Sequence, residues 1–231
     1  MQEYVTLHDM LVQIYEVRTP EEAAALVRLG VDHVGVLIGE GAFPRELSAE
    51  RATEIFAAVP AGKRCVALSL SAELGEIGRM IEQARPDIVQ VGAAVEIFSA
   101  ADTRALKAEF PRVLIMRSIP VVDDTSIEWA RAYQQIADFL LLDSHDPGDR
   151  QIGALGRPHD WSISRRIVDE VGIPAILAGG LGAENVGAAI AAVRPAGVDS
   201  KTKTDRADGI GKDLEKVRRF VAAAKITTGR Q

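Results

Sequence analysis

Cysteine is nearly absent from this chain. Among 231 residues only Cys65 carries a thiol, so no disulfide forms within the chain, and its place in an apolar run suits a buried structural thiol better than a reactive one. Aromatic residues make up 5%, no Lys and Arg cluster is interleaved with them, and the formal net charge is −6, which disfavours nucleic acid and anionic membrane surfaces as partners. No uncharged apolar run reaches the about 18 residues of a membrane span, and the opening MQEYVTLHDM lacks an apolar signal core, so a cytoplasmic location is expected. A GxGxxG turn after the first strand is also missing, which argues against a doubly wound dinucleotide-binding sheet.

What the chain does have is a regular alternation of short apolar runs and amphipathic stretches. Strands are expected at 11–15, 33–38, 63–70, 87–91, 112–118, 138–143, 174–178 and 196–199. The stretch TPEEAAALVRLG opens a helix with Thr19 as N-cap, Pro20 at the first helical position and Glu22 closing a capping box, and Gly30 ends it. Further helices are expected at 48–58, 72–84, 100–109, 125–136, 161–171, 183–192 and 212–224. About eight βα units without a compositional break predict an α/β chain folded as a single (β/α)8 TIM barrel over 1–231.

The stretch 174–199 carries the clearest chemistry. A buried strand ending at Ala178 is followed by Gly179-Gly180 and a helix from about Ala183, an arrangement that gathers backbone amides for a phosphate, although a Gly-Gly turn also serves purely conformational ends. A last strand at 196–199 follows, and the loops after the final two strands are where such barrels hold phosphorylated ligands. The polar run 201–214, KTKTDRADGIGKDL, reads as a solvated loop.

Five segments, VRTPEEAAALVRLGVDHVGVLI (17–38), FPRELSAERATEI (43–55), DFLLLDS (138–144), GALGRPHDW (153–161) and AILAGGLGAENVGAAIAAVRPAGVD (175–199), together resemble the phosphoribosylanthranilate isomerase family in order and spacing. The resemblance implies a (β/α)8 barrel and an Amadori rearrangement of a phosphorylated aldose amine, in which an acid protonates the ring oxygen and a base removes the proton from the neighbouring carbon. It places the acid on Asp143. The family's Lys-Ile-Cys-Gly at the first strand's end falls on Gln13, Ile14, Tyr15 and Glu16, so the base's position is taken by Tyr15, which serves as base only if its pKa is lowered by about two units. Glu16 is a substitute base only if the loop begins there, since strand alternation otherwise turns it away.

By the same resemblance Arg45, Gln90 and Arg157 bind substrate, Arg45 meeting a carboxylate unless it pairs with Glu46 or Glu50. Gly179, Gly180, Ser200, Lys201 and Lys203 hold the phosphate, charge and hydroxyls replacing the family's Asp-Val-Ser-Ser-Gly-Val-Glu loop. The family's Gln-Leu-His-Gly after the fourth strand reads Gln90-Val91-Gly92-Ala93, without the histidine. No cofactor and no metal are implied: His145, Asp146 and Asp149 lack ligand spacing. Asp160 of His159-Asp160-Trp161 is expected to cap a helix, and His8, Asp9 and His33 fall on the barrel's stability face. A monomer and a homodimer are equally compatible. A diverged paralogue acting on another phosphosugar, and a non-catalytic phosphate-binding barrel, stay open beside the isomerase.

Overall fold

The computed structural model describes residues 10–146, 149–153 and 155–226; His8 and Asp9 lie outside the described residues. In chain order the elements are β1 (Leu11–Ile14), α1 (Pro20–Arg28), β2 (His33–Leu37), α2 (Ala49–Phe56), β3 (Arg64–Ser69), α3 (Leu74–Ala84), β4 (Ile88–Val91), α4 (Ala100–Glu109), β5 (Leu114–Pro120), α5 (Thr125–Tyr133), β6 (Phe139–Asp143), α6 (Trp161–Glu170), β7 (Ala175–Leu177), α7 (Val186–Val193), β8 (Gly197–Ser200) and α8 (Leu214–Ile226). The strands pair in parallel in sequence order, and β8 returns to β1, closing the barrel.

Local chemistry sets the boundaries. Thr19 caps α1 by accepting from the Glu22 amide at 3.1 Å, Pro20 occupies the first turn, and Gly30 at φ 97° ends the segment. The expected capping box is altered: the Glu22 carboxylate accepts from the Arg18 amide, one residue before the cap, at 2.8 Å. Ser48 and Asp160 cap α2 and α6 by accepting from the amides of Arg51 and Ser162.

Two expectations need correction. Helix α7 starts at Val186 rather than at Ala183, because the Asn185 side chain accepts from the Gly182 amide at 2.8 Å and donates to the Gly180 carbonyl, holding a non-helical turn between the glycine pair and the helix. The run 201–214 is not a simple solvated loop. It folds into a 3-10 turn at Thr202–Thr204, an antiparallel bridge between Asp205 and Lys212, and a buried ion pair between those same side chains at 2.6 Å.

Strand alternation sorts side chains to two sides of the barrel wall. One core joins the helices to the wall through Val12, Ile14, Val34, Val36, Ala67, Val89, Ile115, Leu140, Leu142 and Val198. A second, smaller cluster fills the barrel itself with Tyr15, Val66, Ile88, Met116, Leu141, Ile176 and Ala178. The Tyr15 ring needs glycine opposite: a Cβ on Gly35 would come within 2.6 Å of it. Deeper in the barrel, His33 is held by Gln13 at 3.1 Å and meets the Phe139 ring edge-on. Burial lowers its pKa to about 4, so it is a neutral packing group. Cys65 is buried, its thiol pushed up to about 12, as suits a structural residue.

Register fixes what reaches the mouth. Leu142 pairs with Leu177 and Leu177 with Val198, so one step further out Asp143, Ala178 and Asp199 stand at one level. Asp143 and Asp199 share the inward side with Leu141 and Gln13.

Candidate active site

Two adjoining cavities occupy the C-terminal mouth of the barrel. The larger, about 240 Å³, is lined by Tyr15, Glu16, Arg45, Gln90 and Gln151 among others. The smaller, about 30 Å³, is lined by Gly156, Gly179, Gly180, Leu181 and Ser200 through Lys203. Asp143, Asp199 and Lys201 line both, so they stand at the junction. A cavity of about 750 Å³ lies to one side, between the segments after β2 and β3. It is the roomiest of those described, but neither Asp143 nor Asp199 reaches it.

The junction carboxyls are held away from their ordinary ionisation. Desolvation raises Asp143 to about 7, opposed by hydrogen bonds from the Ser144 amide, at 2.7 Å, and the Ser144 hydroxyl. The Gly153 backbone packs close against it: a Cβ on Gly153, whose φ is 94°, would collide with Asp143 Oδ2. Asp199 is raised to about 8, first by desolvation and then by the charge of Asp143, against the neighbouring amide of Gln13 and the more distant charge of Lys212. Its Oδ1 is buried with no hydrogen-bond partner. The two carboxyls together form the strongest feature of the mouth, since perturbed titratable groups in a cleft mark candidate catalytic sites.

Tyr15 requires a correction. Burial first, and the Asp199 charge second, raise its phenol well above the usual value, the opposite of the lowering that a base needs. Its hydroxyl has no partner, and the residue is 4% exposed, so Tyr15 is a wall of the larger cavity. β1 ends at Ile14, and Glu16 adopts a left-handed φ of 59°, which swings it into the cavity after all.

Most other expected site residues gather here. Arg45, also left-handed at φ 75°, lines the larger cavity and pairs with Glu16 at 3.2 Å rather than with Glu46 or Glu50. Gln90 lines it too, its Nε2 donating to Ser118 at 3.0 Å and its Oε1 unpartnered. Gly179 at φ 85° and Gly180 at φ 60° form the floor of the smaller cavity, where a Cβ on Gly180 would strike the Gly156 backbone at 2.8 Å. Ser200 reaches it, but its hydroxyl donates to the Leu181 carbonyl at 2.7 Å. Lys203 lines the small cavity, and Lys201 lies between Glu16 and Asp205 at 3.2 and 3.1 Å. Arg157 is the exception. Its guanidinium turns outward to Asp146 and lines neither cavity, so only its backbone approaches the site, behind Gly179 and Gly180. Among the described residues there is no cluster of three or more potential metal ligands.

Sequence reasoning did not single out Asp199, Gln151 or the Lys212–Asp205 pair that backs Lys201. The signal for Asp199 was its place at the end of the last strand, inward by alternation.

Comparison with known proteins bears on this arrangement. The family model for N-(5'-phosphoribosyl)anthranilate isomerase matches residues 12–223. A protein of Methanocella arvoryzae with that name is 34% identical over 94% of this chain and 98% of its own length. The crystal structure of phosphoribosyl anthranilate isomerase from Thermotoga maritima superposes with a TM-score of 0.77 at 26% identity, over 94% of this chain and 99% of that one. A second isomerase structure, in complex with reduced 1-(o-carboxyphenylamino)-1-deoxyribulose 5-phosphate, gives 0.75 at 25% identity, covering 94% and 99%.

Proposed function

The chain belongs to the N-(5'-phosphoribosyl)anthranilate isomerase family, and from that premise we propose that it catalyses the Amadori rearrangement of phosphoribosylanthranilate, an aldose amine, to the corresponding 1-amino-1-deoxyketose. The observation that carries the reading is the position of Asp143: a desolvated carboxyl at the junction of a small cavity lined by glycines and lysines and a larger one lined by an arginine.

In this reading the phosphate occupies the smaller cavity. Gly179 and Gly180 admit it because their positive φ and missing Cβ leave backbone exposed, and Lys201 and Lys203 supply charge. The anthranilate lies in the larger cavity with its carboxylate toward Arg45, whose planar fork exchanges Glu16 for the ligand. Gln90 offers its unpartnered Oε1 to a sugar hydroxyl. The ribose then spans the junction.

Asp143, protonated below about pH 7, donates to the furanose ring oxygen while the amine nitrogen pushes its lone pair toward the anomeric carbon; the ring C–O bond breaks and an iminium forms. Loss of the proton on the neighbouring carbon gives an enolamine, which ketonises. Atoms are conserved, one carbon is oxidised as its neighbour is reduced, and no outside oxidant or reductant enters. The raised pKa of the acid matches the task near neutral pH.

Purified protein mixed with freshly prepared phosphoribosylanthranilate should extinguish that substrate's fluorescence, and inorganic phosphate should raise the melting temperature by binding the native state. No fluorescence change above background removes the assignment. The tyrosine at the end of β1 supports a second reading, the same isomerisation on a different phosphosugar. That reading is favoured if phosphate raises the melting temperature while phosphoribosylanthranilate is left unchanged.

A further inference from the structure

We propose that Asp199 is the base of this reaction, working beside the acid Asp143; the inference rests on the isomerase reading above. The isomerisation requires a group that accepts a proton from carbon, and three candidates face the larger cavity. Tyr15 holds its phenolic proton too tightly, for the reasons of burial and neighbouring charge already given. Glu16 has its Oε2 engaged by two cations, Arg45 and Lys201, each at 3.2 Å, so it acts as their counter-ion. Asp199 alone among the three combines a carboxylate with an oxygen that is buried, unpartnered and placed on the wall of both cavities.

Among the described residues, Asp199 is faced from several elements. From β1 comes the neutral amide of Gln13, from the residue just after it the phenol of Tyr15, and from β6 the carboxyl of Asp143. Lys201 shares its cavities, and Lys212 acts from further off, its Nζ held by Asp205 at 2.6 Å and by the Lys201 carbonyl at 3.3 Å. No cation lies within ion-pair distance of Asp199 among the described residues. Like charges on Asp143 and Asp199 oppose each other, so the pair loses its two protons in separate steps; with the mouth empty the last proton stays longer on Asp199, and the reaction runs from the form in which it stands on Asp143.

The proton count closes. Asp143 loses its proton to the ring oxygen as the C–O bond breaks. Asp199 takes the proton from the adjacent carbon, and that C–H electron pair becomes the carbon–carbon double bond as the iminium nitrogen recovers its lone pair. The dyad still carries one proton and one negative charge. On ketonisation Asp199 returns its proton to the former anomeric carbon and the enol hydroxyl returns one to Asp143, which resets the site without solvent.

The test compares wild type with Asp199→Asn on phosphoribosylanthranilate, plain and deuterated at the carbon that loses its proton. Removal of the base should lower kcat about 10²–10⁴-fold, with KM changed less than threefold and the deuterium isotope effect increased, because proton abstraction becomes the slow step. A fall in kcat of less than tenfold, a loss carried by KM, or an unchanged isotope effect overturns the assignment and makes Asp199 a substrate-binding residue. Should Asp199→Asn fail to fold, Asp199→Ala is assayed with added formate, whose restoration of turnover supports the base and whose failure to restore it contradicts it. A wild-type protein that leaves the substrate unchanged removes the isomerase reading itself, an outcome distinct from an active wild type with an equally active variant.

Discussion

Replacing Asp143 with asparagine should make the protein more stable while disabling it. The carboxyl rises from the ordinary 3.8 to about 7 on folding, and about three units at about 1.4 kcal/mol each place about 4 kcal/mol on the ionised form. Water entering from the mouth relaxes part of that, so the expected gain is about 1–2 kcal/mol, or roughly 3–6 °C for a chain of this size. Asparagine keeps an Oδ1 for the Ser144 amide and hydroxyl, so the contacts that orient the group survive. The sign follows from linkage. The folded protein holds this proton after the unfolded chain has lost it, so wild-type stability declines as pH rises from about 4 to about 7, and the variant lacks that decline. Urea unfolding of both proteins at pH 4, 6 and 8 should therefore show a gap near zero at pH 4 that is widest at pH 8. A variant less stable than wild type at pH 8, or a gap independent of pH, would refute the claim that desolvation governs this carboxyl.

Other perturbations follow from the same geometry. Tyr15→Phe should leave turnover within about threefold of wild type, because the phenolic oxygen has no partner to lose; a hundredfold fall in steady-state assays would restore Tyr15 as a catalyst. Gly180→Ala should cost at least about 2 kcal/mol in urea unfolding, since its φ is 60° and a Cβ would meet the Gly156 backbone; it should also abolish the thermal shift with phosphate. Lys212→Met leaves Asp205 buried with Lys201 as its remaining partner, and should cost about 3 kcal/mol, part of which returns in the double variant with Asp205→Asn.

The barrel was legible because its evidence is local and periodic. Eight short apolar runs, each followed by a segment of helical length, fix both the elements and their parallel order. What escaped was non-local or hidden in side-chain bonding. The start of α7 depended on Asn185 bonding back to Gly182, a competition that helix propensity in the Ala183–Glu184 stretch does not reveal. The burial of Lys212 depended on Asp205 seven residues earlier, across a bridge that a polar run does not advertise. Asp143 was readable from its strand end and from the family's pattern. Its partner Asp199 emerged only when register brought β6 and β8 to one level across β7. Arg157 misled because a motif places a residue and its neighbours, but not the direction of a long side chain, and Asp146 turns this one outward.

The most direct test of the central claim sets catalysis against binding in Asp143→Asn. With phosphoribosylanthranilate as substrate, the variant should lose turnover by about 10³-fold while its affinity for the reduced product analogue stays within threefold of wild type. Turnover within tenfold of wild type would mean that the proton comes from elsewhere.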